Sequence, residues 1–356
     1  MKSSICSALV YCVFLAAVLA SVAVARQVPK DNKMKMVGES LVLAGTEPGK
    51  LLFADIVPGS IVVRSAYDPG AKGVVVYEQG RDYVVNYALG TIARAPKSRM
   101  PDFGKNVLYG QSNFNHANFP GFTNNGFFVW VDYETKSGSP LAPTTDQSSL
   151  LAKSRAKLTK GGPFKLIAFG DSIIAGGEAS TEALRFQNRY AGTLGKRFAK
   201  AEITVENGAT GGDTSSDGLG RIEAKVLTRE PDLVLVAFGM NDHNISPPFG
   251  VPLEQFEANM DRMVSLIRER TGADVMLLST FPPNPEWAHG SHQMERYAAV
   301  TRRVAEKRKC AYADVYGVWA KVLQRKDAPS LLGNNINHPN DFGHWLYLQA
   351  LEAVRF

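Results

Sequence analysis

The hydrophobic and polar positions follow two different patterns along the chain. Residues 40 to about 135 contain short runs rich in Val, Ile, Tyr and Phe, separated by Gly, Pro and Asp. Such runs predict β-strands, with hairpin turns at Gln79-Gly80 and Leu89-Gly90. Because no helical period of useful length occurs here, residues 26–135 predict a small all-β sandwich domain.

The pattern changes twice after this segment. Residues 136–162 are rich in Ser, Thr, Lys, Pro and Gly, which predicts a linker, with Leu150-Leu151 as an alternative start of a short helix. From residue 163 to residue 356, apolar runs alternate with amphipathic patterns. The predicted strands are KLIAF, EITVEN, DLVLVAF, DVMLLST and AYADV, and the predicted helices cover about 182–200, 216–228, 253–270, 292–308 and 341–354.

Strands that are apolar throughout are typical of a parallel sheet covered by helices on both faces. Residues 163–356 therefore predict an α/β domain of this type. In such domains ligands bind at the carboxyl ends of the strands.

The first 25 residues have the features of an export signal. After Lys2 no charge occurs until Arg26, and the apolar run ends in Ala23-Val24-Ala25. A positive start, an apolar core and an A-x-A end predict a cleaved signal peptide, and hence a secreted or periplasmic protein without stable membrane insertion after cleavage. An uncleaved anchor is the alternative, because the run is long enough to span a bilayer.

Composition narrows the classes of function. The 40 Lys and Arg residues exceed the 34 Asp and Glu residues by six, and they are scattered, so a nucleic-acid partner is not indicated. The three cysteines, Cys6, Cys12 and Cys310, exclude a disulfide-stapled scaffold and a zinc cluster built from cysteines. The histidines lack metal-ligand spacing with carboxylates. No metal site is therefore indicated.

Four positions at predicted strand ends and in the last loop are candidates for chemistry. Ser172 lies on a turn after the first strand, where it is either a nucleophile or a helix cap. Gly212 lies in a glycine turn after the second strand, and Asn241 follows the third, where its amide can donate to an oxyanion. His338 precedes a proline near the last helix, where it is either the base for Ser172 or a surface histidine.

Together these blocks resemble the SGNH hydrolases, also called the GDSL esterase/lipase family. The resemblance covers about residues 163–356, with the blocks in the family's order. The matching positions are Gly170-Asp171-Ser172, Gly212, Gly239-x-Asn241-Asp242 and His338.

The resemblance implies a flavodoxin-like α/β/α sandwich and acyl transfer through a serine, with no metal and no organic cofactor. By this resemblance Ser172 is the nucleophile and His338 the general base. The oxyanion hole consists of the Ser172 N–H, the Gly212 N–H and the Asn241 side-chain amide.

One position departs from the family's pattern. The family has an aspartate three residues before the histidine, and this chain has Asn335 there. Three explanations are open: a Ser–His dyad supported by Asn335 or a backbone carbonyl, a carboxylate from elsewhere such as Asp314 or Asp341, or a weak enzyme.

We therefore expect a secreted serine esterase that acts on short-chain esters, with acetylated carbohydrate as the substrate by similarity to secreted carbohydrate esterases of this type. The alternatives are a lipase or lysophospholipase of the same family, and a non-catalytic glycan-binding protein that kept the fold. The β-domain either binds glycan through Tyr83, Trp130 and Tyr133 or packs on the catalytic domain.

Overall fold

The computed structural model describes residues 33–356, so the predicted signal peptide lies outside the described residues. The strands are β1 (Met34–Leu41), β2 (Gly49–Lys50), β3 (Val62–Arg64), β4 (Val76–Tyr77), β5 (Tyr83–Asn86), β6 (Thr91–Arg94), β7 (Val129–Thr135), β8 (Thr145–Asp146), β9 (Gly162–Gly170), β10 (Ala201–Asn207), β11 (Leu233–Ala237), β12 (Asp274–Leu278), β13 (Ala311–Ala313) and β14 (Val354–Arg355).

The α-helices are α1 (Ala152–Lys160), α2 (Phe186–Arg197), α3 (Ser215–Ile222), α4 (Leu253–Thr271), α5 (Met294–Arg308), α6 (Val315–Leu323) and α7 (Asp341–Glu352). A π-helical turn, Glu223–Leu227, continues α3, and single 3₁₀ turns cover Phe103–Lys105, His116–Asn118, Glu182–Leu184 and Ala328–Ser330. Among residues 33–356, none of the helices combines the length and the apolar character needed to cross a membrane.

Five parallel strands form the central sheet, in the order β10-β9-β11-β12-β13. Every residue of β11 and β12 is buried, as expected for strands covered on both faces. The predicted α/β class is therefore confirmed. Helix α6 was not predicted, and the predicted helix at 182–200 is divided because Arg185 has an extended backbone between a 3₁₀ turn and α2.

Two antiparallel sheets form the N-terminal region, in the orders β1-β7-β3-β4 and β2-β6-β5. The predicted hairpin at Leu89-Gly90 is present, because β5 pairs with β6 across it and Gly90 adopts a φ of +60°. Tyr83, Trp130 and Tyr133 are 3%, 7% and 1% exposed, so most of each ring packs in the core, although Trp130 also lines a cavity beside Glu178.

The segment 136–162 is structured. Strand β8 pairs with the C-terminal strand β14, and the Ser154 N–H of α1 donates to Asp274 Oδ2 (2.7 Å) at the start of β12. These contacts attach the segment to the sheet, and residues 33–356 belong to one compact unit. The boundaries between β-domain, linker and catalytic domain stay a prediction.

A buried ion pair joins the N-terminal region to the segment before α7. Lys326 Nζ lies 2.6 Å from Glu39 Oε1, and both side chains are fully buried. The second carboxylate oxygen of Glu39 accepts from the Tyr133 hydroxyl (2.6 Å). Such a pair makes the position of the N-terminal region specific, because either charge alone is costly to bury.

Candidate active site

The order of the strands brings three loops together. Strand β9 lies between β10 and β11, and all three run in the same direction, so the loops after them meet at one edge of the sheet. The Thr210 N–H donates to Gly170 O (3.1 Å), which joins the loop after β10 to the end of β9. The loops that carry Ser172, Gly212 and Asn241 are therefore neighbours, although 69 positions separate Ser172 from Asn241 along the chain.

Ser172 and His338 are in direct contact. Ser172 Oγ lies 2.8 Å from His338 Nε2, a hydrogen bond between residues 166 positions apart. Burial lowers the pKa of His338, and the charge of Glu178 raises that pKa in part. The imidazole is therefore neutral near pH 7, and its Nε2 can take a proton from the serine hydroxyl.

Two backbone N–H groups beside Ser172 have no acceptor. Within residues 33–356, neither the Ser172 N–H nor the Gly212 N–H donates a hydrogen bond to the protein. Gly212 adopts a φ of +83°, and a Cβ built on Gly211 would lie 3.9 Å from Ser172 Cβ, so the glycine turn passes close to the serine. Free donors next to a nucleophile are what an oxyanion needs.

Asn241 is buried near the start of the loop after β11. Its Nδ2 donates one hydrogen bond to Asp213 O (2.8 Å), which connects it to the loop of Gly212. An amide nitrogen carries two hydrogens, so one donor remains after this bond. The oxyanion-hole role of Asn241 stays a prediction, for which this second hydrogen is the available donor.

Asn334, which the sequence analysis missed, holds the loop of His338 in shape. Its Oδ1 accepts from the N–H groups of Ile336 (3.0 Å), Asn337 (3.0 Å) and His338 (2.9 Å). One side chain thus replaces the partners that these three N–H groups would have in a helix or strand. The signal in the sequence was the run of asparagines before the histidine.

Asn335 is buried and does not hydrogen-bond to His338 in the described part of the chain. Its backbone oxygen and its Oδ1 accept from Asn284 Nδ2 at 2.8 and 3.3 Å. Its φ is +58°, a left-handed conformation that Asn tolerates better than most residues. The contacts describe a residue that shapes the loop, and the catalytic role predicted for it stays a prediction.

The two carboxylates considered as substitutes are bound elsewhere. Asp314 begins α6, where it accepts from the Gly317 N–H (3.0 Å) and pairs with Arg302 (2.8 Å). Asp341 accepts from the N–H (2.8 Å) and the hydroxyl (2.7 Å) of Ser180. Glu178, which the sequence analysis did not single out, is the carboxylate whose charge acts on His338.

The aspartates that adjoin Ser172 and Asn241 in the sequence stabilise the loops of the site. Asp171 Oδ1 accepts from the Ile173 N–H (2.9 Å), and Asp242 Oδ1 accepts from the Ser215 N–H (2.9 Å). Burial raises the pKa of Asp171 to about 7 and that of Asp242 to about 6. Asp171 thus stabilises the turn of Ser172, and Asp242 connects the loop after β11 to the start of α3.

A serine hydrogen-bonded to a histidine at the carboxyl ends of a parallel sheet, with unoccupied N–H donors beside it, defines a hydrolase on an α/β/α fold. The family comparison agrees with this class. The chain belongs to the GDSL-like lipase/acylhydrolase family, whose model matches residues 168–346 and so includes both Ser172 and His338. The predicted resemblance is confirmed, and the chain is assigned to the carboxylic ester hydrolases.

Individual relatives are distant. An arylesterase from Vibrio mimicus is 29% identical over 144 residues, which are 40% of this chain and 66% of that protein. An acetylxylan esterase from Geobacillus stearothermophilus is 24% identical over 200 residues, which are 52% of this chain and 91% of that protein. The match to the crystal structure of an acetylxylan esterase from the same organism covers 55% of this chain and 99% of that protein's chain, with 25% identity and a TM-score of 0.47.

Proposed function

We propose that this protein removes short acyl groups, acetyl in particular, from carbohydrate, with Ser172 as nucleophile and His338 as general base. One observation carries the proposal: the hydrogen bond of 2.8 Å between Ser172 Oγ and His338 Nε2, next to N–H groups that donate to nothing in residues 33–356. A base in contact with a hydroxyl and free donors beside it are the parts that acyl transfer requires.

The reaction follows from these positions. His338 Nε2 accepts the hydroxyl proton as Ser172 Oγ bonds to the ester carbonyl carbon. The N–H groups of Ser172 and Gly212 and the amide of Asn241 stabilise the oxyanion. The imidazolium returns its proton to the alcohol oxygen as the carbon–oxygen bond breaks. Water, deprotonated by His338, then releases the acid and restores the serine.

A cavity beside Glu178 supports a hydroxylated alcohol as the leaving group. This cavity has a volume of about 520 Å³, and its lining includes Asn125, Glu178, Ser180 and Asp341 as well as aromatic residues. The carboxylates, the amide and the hydroxyl can hydrogen-bond to a sugar. The acetylxylan esterase named above also supports an acetylated carbohydrate.

Export is part of the proposal. The predicted signal peptide, residues 1–25, would bring the enzyme to polymers outside the cell, where acetylated glycans are accessible. The small polar sequence around Glu178, AGGEAS, is consistent with short acyl groups.

The test compares the wild type with Ser172→Ala on p-nitrophenyl acetate and on a panel of acetylated glycans. Ser149→Ala, a change at an exposed serine, is the matched control. We expect Ser172→Ala to lose the activity and Ser149→Ala to retain it. Equal rates for wild type and Ser172→Ala would refute the serine mechanism, and a preference for octanoate or longer esters would favour the lipase alternative.

A further inference from the structure

We propose that Glu178 is a positioning residue for His338, and that it supplies the negative charge which the family's pattern places on an aspartate and which Asn335 lacks. The inference rests on the proposed function, because it assigns a partner to the base of that reaction. It also means that the N-terminal region contributes to the site, because Asn125 of that region hydrogen-bonds to the Glu178 carboxylate.

The chain segment of Glu178 passes along the imidazole. A Cβ built on Gly177 would lie 3.0 Å from His338 Nδ1 and 3.1 Å from Ser172 O. Since Nε2 contacts Ser172 Oγ, this segment lies on the opposite, Nδ1 side of the ring. The Nδ1 side is where a serine hydrolase places the carboxylate that stabilises the imidazolium.

Two contacts hold the Glu178 carboxylate beside the histidine loop. A Cβ on Gly333 would lie 3.0 Å from Glu178 Oε2, and the Gly333 N–H donates to His338 O (2.9 Å). Asn125 Nδ2 donates to Glu178 Oε2 (2.5 Å) from the N-terminal region. Within residues 33–356 no hydrogen bond joins Glu178 to His338, so the carboxylate acts on the ring through its charge.

The remaining ionisable groups around this loop have other partners. His344 of α7 lies with its Nε2 3.3 Å from Gly177 O, and burial lowers its pKa to about 3, so it is neutral. Asp341 is bound by Ser180, and its backbone oxygen accepts from Arg189 (3.2 Å). Arg185 packs against Gly176 and pairs with Glu182. Glu178 is thus the carboxylate whose charge raises the pKa of His338 against the effect of burial.

The backbone at Glu178 is unfavourable for a side chain. Its φ is +62°, in the left-handed region where glycine is the default residue. Strained backbone of this kind is concentrated at functional sites. A variant with glycine at this position therefore removes the carboxylate while relieving the backbone, which separates a functional role from a structural one.

The experiment measures kcat/KM for p-nitrophenyl acetate from pH 4 to 9 in the wild type, Glu178→Gln and Glu178→Gly. Glu182→Gln is the matched control, because Glu182 is an exposed carboxylate four residues away. We expect Glu178→Gln to move the acidic limb to lower pH by roughly half a pH unit, because an opposite charge near a histidine raises its pKa. We expect its plateau to fall by roughly tenfold, short of the ~10⁴ loss seen when a triad aspartate is replaced.

Glu178→Gly should show the same pH profile as Glu178→Gln, with a Tm equal to or higher than that of the wild type. Glu182→Gln should match the wild type. An acidic limb and a plateau that do not change in Glu178→Gln would overturn the inference. The two proposals fail separately: Ser172→Ala with full activity refutes the serine mechanism, whereas an inactive Ser172→Ala beside an unaffected Glu178→Gln refutes only the role of Glu178.

Discussion

Asn334 accepts three of the hydrogen bonds that hold the loop of His338, which makes Asn334→Ala an informative substitution. The Asn334 Oδ1 accepts three backbone hydrogen bonds, of which one comes from His338 itself. Alanine removes this one acceptor oxygen, so all three bonds are lost at once. The N–H groups of Ile336, Asn337 and His338 then lack their partner, and the imidazole is held less firmly at its distance from Ser172 Oγ.

The magnitude follows from the number of bonds. A hydrogen bond contributes about 0.5–1.5 kcal/mol net, so three contribute roughly 1.5–4.5 kcal/mol. Because Asn334 is only half-buried, water can replace part of the lost hydrogen bonding. The substitution should therefore weaken the ordered loop by about 1.5–3 kcal/mol. A change of 1.36 kcal/mol is tenfold in rate, so kcat/KM should fall by roughly 10- to 100-fold.

The assay is hydrolysis of p-nitrophenyl acetate at pH 7, with Asn334→Asp and Asn86→Ala as comparisons. Aspartate keeps the accepting oxygen, so its loss should be less than about tenfold. Asn86 makes one bond of the same kind, to the Leu89 N–H (3.0 Å), in a hairpin of the N-terminal region, and its alanine variant should retain full activity. If Asn334→Ala kept half or more of the wild-type kcat/KM, the assigned role of this side chain would be wrong.

Two further predictions concern charge. His338 must be neutral to act as a base, and burial lowers its pKa. The acidic limb of kcat/KM should therefore have its midpoint below about pH 6.5, and a midpoint at pH 7 or above would contradict the assignment of His338 as the base. Lys326→Met leaves the carboxylate of Glu39 buried without its cation, so urea unfolding should show a loss of about 3–5 kcal/mol, largely recovered in the double variant with Glu39→Gln. A loss below about 1 kcal/mol would show that the pair contributes little.

The sheet and the positions of the main site residues follow local patterns, which is why the sequence predicts them. β11 and β12 read as continuous apolar runs because both faces of a parallel sheet are covered. Ser172 and Asn241 come directly after such runs, and parallel strands bring their carboxyl ends to one edge. The pairing of β9 with both β10 and β11 then explains why these loops meet.

The unpredicted features depend on contacts between distant parts of the chain or on short elements. Asn125 meets Glu178 across 53 positions, and nothing in either local sequence indicates the other. Helix α6 has nine residues and is mostly apolar, so its periodicity is hard to distinguish from that of a buried strand. The role of Asn334 depends on the turn that its own side chain stabilises, which a pattern of residue types does not show.

The central claim is that Ser172 is the nucleophile, and covalent labelling tests it most directly. The protein is incubated with a p-nitrophenyl phosphonate, and the modified residue is located by peptide mass spectrometry. The account predicts one adduct, on the peptide that contains Ser172, and release of one p-nitrophenolate per chain. Ser172→Ala should form no adduct, and His338→Ala should form it much more slowly than the wild type. Complete inactivation with the adduct on another residue would contradict it.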